Sequence, residues 1–447
     1  MKSKPLSKKK QSKSKKTFQV LATRVINKLS RQSGFCQRMR EITPIKFLTG
    51  FFMMASKGIN TYEQWAKEIG KADKKKKGVT KQAIWDRMTS GAVNFAKLVL
   101  QEKMTEQFKY IHQRTGGIFA AFKNVYLQDS TYLSLPDELV KDFPGNNNDK
   151  HKRKAIAKID TLYNFTKGTF SFFGLCSFAE NDQRLAWSTL SFMKKGDLSI
   201  RDLGFFVLNA LEEIRRLGAY FLTRKPFGVQ VYDINTGERI NLAKQLKKKG
   251  RMDKEVLVGS KEKIKMRLVA ISLPADKAAQ RVRKAKCDRD KRLHHSKEYY
   301  TLLHYVIFLT NVPGEIWTTQ QVADAYRLRW RIEIIFKTWK SGFNLGKLIH
   351  RGCTDKTRVE CIIYLMLLFM VIFQLRWYDY FAHHTLKRYG KHVSLLKLAK
   401  LITTFIEQII MNSITETQLQ KQILKHALYE SRKDRIHTME FYYSLAA

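Results

Sequence analysis

The sequence predicts a mixed α/β protein whose strand-bearing middle is flanked by helical regions. Three observations carry this. Residues 17–122 place apolar side chains at helical spacing, most clearly in "TYEQWAKEIG" (61–70) and "VTKQAIWDRMTSGAVNFAKLVL" (79–100). From about residue 123, short runs rich in Val, Tyr, Phe and Ile alternate with turn residues, the pattern of strands. Helical spacing returns from residue 354 onward. There, "CIIYLMLLFMVIFQL" (361–375) reads as a buried core helix rather than a membrane span, because the run is short for a bilayer and Arg376 follows at once.

In chain order, residues 1–16 hold eight lysines and almost nothing apolar, which marks a disordered basic arm. No apolar segment follows those charges, so the arm does not read as a secretory signal. In the helical region 17–122, Thr80 is a candidate N-cap and "KADKKKKG" a basic turn. The helix pair around that turn resembles a helix-turn-helix, although the turn is longer than usual and a plain helical hairpin has the same pattern. "NVYLQDSTYLSL" (124–135) carries a strand up to an Asp-Ser-Thr break, and "KAIAKIDTLYNF" (154–165) and "TFSFFGLCSF" (169–178) carry two more. "DLSIRDLGFF" (197–206) is short and apolar, "VLNALEEIRRLG" (207–218) is a helix closed by Gly218, and "AYFLTR" (219–224) is a strand. Strands and helices mixed in this way define an α/β or α+β layer. Residues of about 225–300 form a basic, β-rich insertion ("VQVYDINTGERI", "EVLVG", "IKMRLVAISL"), after which "YTLLHYVIFLTNVP" (300–313) returns to a strand. The expected organisation is therefore an arm (1–16), an N-terminal helical domain for DNA binding (17–122), an α/β domain (123–378) and a C-terminal helical region (379–447).

The charge balance narrows the function. Lys and Arg number 83 against 39 Asp and Glu, a net charge of +44. Self-repulsion on that scale opposes compaction unless a polyanion neutralises it, which makes nucleic acid the leading partner and an anionic membrane surface the competing one. Five scattered cysteines without a C-x-x-C pair argue against a disulfide framework or a zinc site and fit a reducing compartment.

One stretch carries the chemistry: "DAYRLRWRIEIIFKTWKSGF" (324–343). On one helix advancing about 100° per residue, Tyr326, Arg329, Glu333, Lys337 and Lys340 share roughly a quarter of the circumference. Leu328, Ile332, Ile335, Phe336 and Trp339 form the apolar side. Such a face is explained by i,i+4 ion pairs of about 0.3–0.5 kcal/mol each. The same geometry also suits a phosphate-gripping surface in which Glu333 is tolerated because a divalent cation bridges it to phosphate oxygens. The second explanation demands further carboxylates. Asp129 and Asp202, at the ends of strand patterns where open sheets bind ligands, are candidates, and Asp137, Asp160 and Asp197 are rivals that composition does not separate.

Tyr326-x2-Arg329-x3-Glu333-x6-Lys340 resembles the Y-R-E-K signature of the insertion-sequence 4 (IS4) family of DDE transposases, and "YRLRWRIEIIFKTWKSG" resembles the corresponding helix of the Tn5-type enzymes. "LQDST" (127–131) and "IRDLGFF" (200–206) are similar to the family's first and second Asp segments, in the same order. The resemblance covers roughly residues 75–380. It implies a ribonuclease-H-like core with a β-rich insertion between the second Asp and the Glu. It further implies that Asp129, Asp202 and Glu333 bind two Mg²⁺ ions, with Mn²⁺ a possible substitute. Tyr326, Arg329 and Lys340 would hold the DNA backbone, with Lys337 assisting. The activity implied is cleavage at transposon inverted repeats and strand transfer into target DNA. It would be carried out by a homodimer on double-stranded DNA in the prokaryotic cytoplasm, at the nucleoid and away from membranes. A hairpin step would need an aromatic platform for a displaced base. The family's tryptophan is missing from "HYVIFLT", which leaves Tyr305 as the candidate. Two other readings stay open: a catalytically inactive transposase-derived DNA-binding protein, and a structure-selective nuclease.

Overall fold

The structure, a computed structural model, describes residues 22–59, 61–71, 78–106, 116–145, 154–287, 295–349 and 352–430. The basic arm expected over 1–16 and most of the basic turn after residue 71 lie outside the described residues. The centre is one nine-stranded sheet: β1 Val125–Ser134, β2 Ile156–Asn164, β3 Thr169–Ser177, β4 Leu198–Arg201, β5 Tyr220–Arg224, β6 Val231–Asp233, β7 Met252–Val258, β8 Ile264–Ser272 and β9 Tyr305–Thr310. Their spatial order is β3-β2-β1-β4-β5-β9-β8-β7-β6. β1, β4 and β5 run parallel, and every other pairing is antiparallel. This mixed order, with helices around it, is the ribonuclease-H-like core expected.

Among the described residues five α-helices precede the sheet: α1 Thr23–Gln32, α2 Pro44–Ser56, α3 Tyr62–Lys71, α4 Lys81–Trp85 and α5 Ser90–Met104. Thr80 does cap α4, its hydroxyl accepting from the Ala83 N–H at 3.2 Å. The single helix expected over 79–100 is two, however. The chain turns between Asp86 and Thr89, ahead of a Thr-Ser-Gly sequence that favours turns and caps. Gly91 there packs so closely that an added Cβ would lie 3.2 Å from the Gly34 carbonyl.

Within the core lie α6 Asp182–Ser188, α7 Leu208–Arg216, α8 Leu242–Lys249, α9 Ala275–Lys286, α10 Lys297–Leu302, α11 Thr319–Arg327 and α12 Trp330–Ser341. Three of these, α8 to α10, lie in or at the end of the segment read as β-rich. Its lysine run forms a helix because Asn241 caps the start, left-handed Gly250 (φ 70°) closes the end, and Leu242, Ala243 and Leu246 bury a common side. Nor is the insertion a separate layer: β8 pairs with β9 from Arg267↔Thr310 to Ser272↔Tyr305, so it prolongs the central sheet.

After the core come α13 Lys356–Ile372, α14 Asp379–Tyr389, α15 Leu395–Ile410 and α16 Glu416–His426. A π-helical turn, Phe373–Tyr378, joins α13 to α14, so the apolar run is the middle of a longer helical stretch, Lys356–Tyr389. Length and composition would let that stretch cross a bilayer, but 83% of its apolar window is buried inside the protein. Burial, not shortness, makes it a core helix. The boundary expected at 378/379 falls within it.

The two helical flanks and the sheet share one apolar core running from Ile26 to Ala427. Phe52 of α2 stacks on Phe369 of α13 at 4.8 Å. Glu68, fully buried, pairs with Lys57 (2.6 Å) and Lys71 (3.5 Å), and both lysines reach Glu407 on α15. We therefore expect Phe52→Ala to cost about 3–5 kcal/mol, the usual toll of emptying a buried aromatic site. It should lower the urea midpoint of helical circular dichroism and of tryptophan fluorescence together. Two separated transitions would show that the N-terminal helices fold on their own.

Candidate active site

The parallel pairing of β1 with β4 ends at Gln128↔Arg201. The next residue on each strand is an aspartate, so Asp129 and Asp202 stand side by side at the strand ends, on neighbours about 4.8 Å apart. β1 itself does not break there. It continues antiparallel to β2 as far as Ser134, because β2 still supplies partners after β4 has turned away at Leu203. Alternation puts Asp129 and Asp202 on the face that carries Val125, Leu127, Leu198 and Ile200, the face of the main core.

Glu333 arrives from above that face. A capping box between Thr318 and Gln321 starts α11. The helix then tightens, with Arg331 N–H donating to the Leu328 carbonyl at 2.8 Å, before α12 resumes at Trp330. The one straight helix expected over this stretch is thus two, broken at Leu328–Arg329. Buried Ile332, Ile335, Phe336 and Trp339 seat α12, as their spacing required.

Arg329 is the centre of the constellation. Its Nη2 pairs with Glu333 at 2.5 Å, its Nη1 with Asp129 at 3.5 Å and its Nε with Asp202 at 3.5 Å. One planar cation is thus shared by three carboxylates from three different elements. The Tyr326 hydroxyl donates to Asp202 at 3.3 Å. Lys340 lies 4.4 Å above the exposed Tyr132 ring, and Lys337 is exposed one turn beyond Glu333. Tyr305 stands apart: its hydroxyl donates to the Leu246 carbonyl at 3.0 Å, inside the insertion. Of the rival acids, Asp197 accepts from Asn124 (2.7 Å) and Lys194 N–H (2.9 Å) before β4 begins, Asp137 opens a 3₁₀ turn, and Asp160 is buried on the opposite face of the sheet.

Burial dominates the electrostatics of the site, and crowding adds to it. Burial pushes the Asp129 carboxyl up to about 7; the Ser130 N–H and Arg329 pull it back, while Asp202 and Glu333 push it further up. A single guanidinium divided among three acids does not offset desolvation of the innermost one. Burial also raises the Tyr326 phenol and lowers Lys340.

Three carboxylates and no soft ligand are the donor set that suits a hard divalent cation such as magnesium. Among the described residues no three acidic, His or Cys side chains stand as a ready metal cage. The guanidinium takes the space between them. It is a stand-in cation, and the donor set around it is of the kind that suits a hard metal ion.

Comparison with known proteins gives the same class. The transposase DDE domain family matches residues 120–371, more than half of the chain. The transposase for insertion sequence element IS231F of Bacillus thuringiensis subsp. israelensis is 29% identical over 60% of this chain and 58% of its own length. That for IS231D of B. thuringiensis subsp. finitimus is 26% identical over 78% of this chain and 76% of its own. That for IS1151 of Clostridium perfringens is 26% identical over 72% of each. The fold and the family match define a transposase-type enzyme with a ribonuclease-H-like core. The chain belongs to the DDE transposase family, of the IS4 type.

Sequence reasoning missed Gln128 and Arg201, both buried and each directly before an aspartate, and the exposed Tyr132 and Phe227. The dipeptides Gln-Asp and Arg-Asp on strands were the available signal, since alternation sends their first members to the opposite face.

The shifts set a pH dependence for metal-free protein. Asp129 and Asp160 both have folded values raised by burial, to about 7 and about 6. Raised acids favour the folded state below their unfolded values of about 4, and that contribution is lost as pH climbs through 6 and 7. The melting temperature in chelator should therefore fall between about pH 4.5 and 7.5. Asp129→Asn should flatten the fall and melt higher than wild type at the upper end of that range. A profile unchanged by the substitution would remove Asp129 as its source.

Proposed function

We propose that this chain is an insertion-sequence transposase that binds the terminal inverted repeats of its element, cleaves there and joins the freed 3′-OH ends to target DNA. What supports the reading is the meeting of Asp129, Asp202 and Glu333 around one cation at the ends of parallel strands. Those carboxylates would hold two Mg²⁺ ions, or Mn²⁺ in substitution; such ions, when bound, activate an attacking water and stabilise a departing 3′ oxygen.

The protein's own groups do the positioning. In the free protein Arg329 screens the carboxylates from one another. When a backbone phosphate arrives, its negative charge competes for the guanidinium, and Arg329 swings from acid to phosphate. Tyr326 then donates to Asp202 or to a phosphate oxygen, and Lys340 and Lys337 grip the backbone further along α12. Should excision pass through a hairpin, a displaced base needs an aromatic surface. Phe227 suits that role better than Tyr305: it is exposed, packs edge-on to Tyr299 at 4.9 Å, and follows β5, the strand beside Asp202's. The N-terminal helices would add contacts to the end DNA, and the region from 379 onward would join two copies on it.

Substituting Asp129→Asn, Asp202→Asn or Glu333→Gln should reduce nicking of a terminal-repeat duplex in Mg²⁺ by at least about a thousandfold, while gel-shift affinity for that duplex holds, as expected for groups acting in the transition state only. Full cleavage by any one variant removes that residue from the site; no Mg²⁺-dependent nicking by wild type would favour the inactive DNA-binding reading, and cleavage without joining would favour the nuclease. Arg329→Gln should bind Mn²⁺ several-fold more tightly than wild type without DNA, and end DNA more weakly. Unchanged Mn²⁺ affinity would show that the guanidinium does not compete with the ion.

A further inference from the structure

On the face of the sheet opposite the three carboxylates lies a polar chain sealed from solvent. Asp160 of β2, Gln128 of β1, Thr189 and Arg201 of β4 are each 0–1% exposed. Gln128 Nε2 donates to both Asp160 oxygens at 3.3 Å and to the Leu185 carbonyl at 3.0 Å. The Thr189 hydroxyl donates to Gln128 Oε1 at 2.9 Å and accepts from Arg201 Nη2 at 3.1 Å. Arg201 Nε donates to Ser199 Oγ (3.0 Å) and its Nη1 to the Ala186 carbonyl (2.8 Å), and Ser188 closes the other end on Asp160 at 2.9 Å. An acid and a guanidinium are thus joined through two neutral side chains, across three strands and the end of α6. Burying two charges costs several kcal/mol unless every donor and acceptor is met, and stability alone would be served as well by apolar side chains.

Where the chain attaches is the informative point. Gln128 and Arg201 are register partners, the last pair of the parallel ladder, and the next residue on each strand is Asp129 or Asp202. Beyond that pair the β1–β4 register is not continued. The turn after Asp202 is pressed onto the same support: a Cβ on Gly204 would lie 3.0 Å from Asp182 Oδ2. We propose that Gln128, Thr189 and Arg201, anchored on Asp160, are positioning residues that set the spacing of Asp129 and Asp202 where the ladder ends. Supporting groups of this kind are typically worth about 10–100-fold in metal affinity. The inference rests on the metal-binding reading of the two aspartates.

Thr189→Val tests it, because it removes the one hydroxyl that both donates and accepts while keeping the side chain's shape; Thr189→Ser keeps the hydroxyl. The readout is Mn²⁺ binding to the full chain without DNA, followed by the electron paramagnetic resonance of free ion, with Asp129→Asn as the baseline. We expect Thr189→Val to weaken binding about tenfold, within the range for such supporting groups, and Thr189→Ser to match wild type, both with circular dichroism unchanged. Cleavage by Thr189→Val should recover more in Mn²⁺ than in Mg²⁺, because Mg²⁺ demands near-ideal octahedral geometry. If Thr189→Val does not fold, Asp160→Asn is measured on the same scale with the same expectation. Wild-type Mn²⁺ affinity in a folded Thr189→Val or Asp160→Asn overturns the clamp alone. Wild-type binding no better than Asp129→Asn overturns the metal reading and the clamp with it.

Discussion

Three carboxylates held within reach of one guanidinium is the constraint on which the rest of the structure depends. Like charges at that separation repel, and burial makes the innermost of them, Asp129, harder to ionise. Arg329 relieves only part of this, as the raised Asp129 carboxyl attests. The fold must supply the remainder, and it does so with rigid parts. Asp129 and Asp202 each follow the last register pair of two adjacent strands, which brings them side by side. Glu333 sits on a helix held down by the fully buried Ile332 and Ile335 and the nearly buried Trp339. In a crowded acidic site of this kind an incoming cation would relieve the repulsion as it binds.

Much of this is legible in the sequence, for reasons that differ by element. The strands around Asp129 and Asp202 carry Val, Leu and Ile at alternate positions, and the helix around Glu333 carries its apolar side at helical spacing, so their faces follow from pattern alone. The choice among five aspartates does not follow from composition. It depends on which strands become neighbours, and β1 pairs with β4 although β2 and β3 lie between them in the chain. Nor does spacing reveal the break at Leu328–Arg329, since a tightened turn keeps nearly the same angular positions as a straight helix. Buried polar residues are the hardest to read. Gln128, Asp160 and Arg201 occupy strand positions that polarity alone assigns to solvent, and only the covering segment 182–189 seals them from it. In the insertion, lysine-rich runs conceal helices because their few apolar residues, such as Leu242 and Leu246, are outnumbered by charges.

The site is also fastened to the regions around it. Arg267 of β8 donates to the Val312 and Trp317 carbonyls (3.2 and 2.7 Å) and pairs with Asp253 of β7 at 2.7 Å. Thr319, the first residue of α11, donates to the same Asp253 at 2.5 Å. On the other side the fully buried Trp317 donates its indole N–H to the Ile118 carbonyl at 2.6 Å. The segment that leads into Tyr326 and Arg329 is therefore gripped both by the insertion and by the chain preceding β1. A ligand that moved either grip would move the start of α11, and with it the signature residues.

The distribution of charge follows from the same constraint. A chain with a net charge of +44 has every electrostatic reason to scatter its acids among its bases, as the exposed pairs Lys265–Glu255 and Lys397–Glu430 do. At the strand ends the fold does the reverse, collecting three acids around one base. That concentration of negative charge would repel DNA if it stood alone. Set within a strongly cationic protein, it instead becomes a place where a bound backbone would meet acid rather than base, so that a divalent cation accompanying the DNA would be drawn there. On the metal-binding reading, long-range attraction by the whole chain and short-range repulsion at one point cooperate. The first brings the polyanion to the surface, and the second makes its approach to Asp129, Asp202 and Glu333 conditional on a cation.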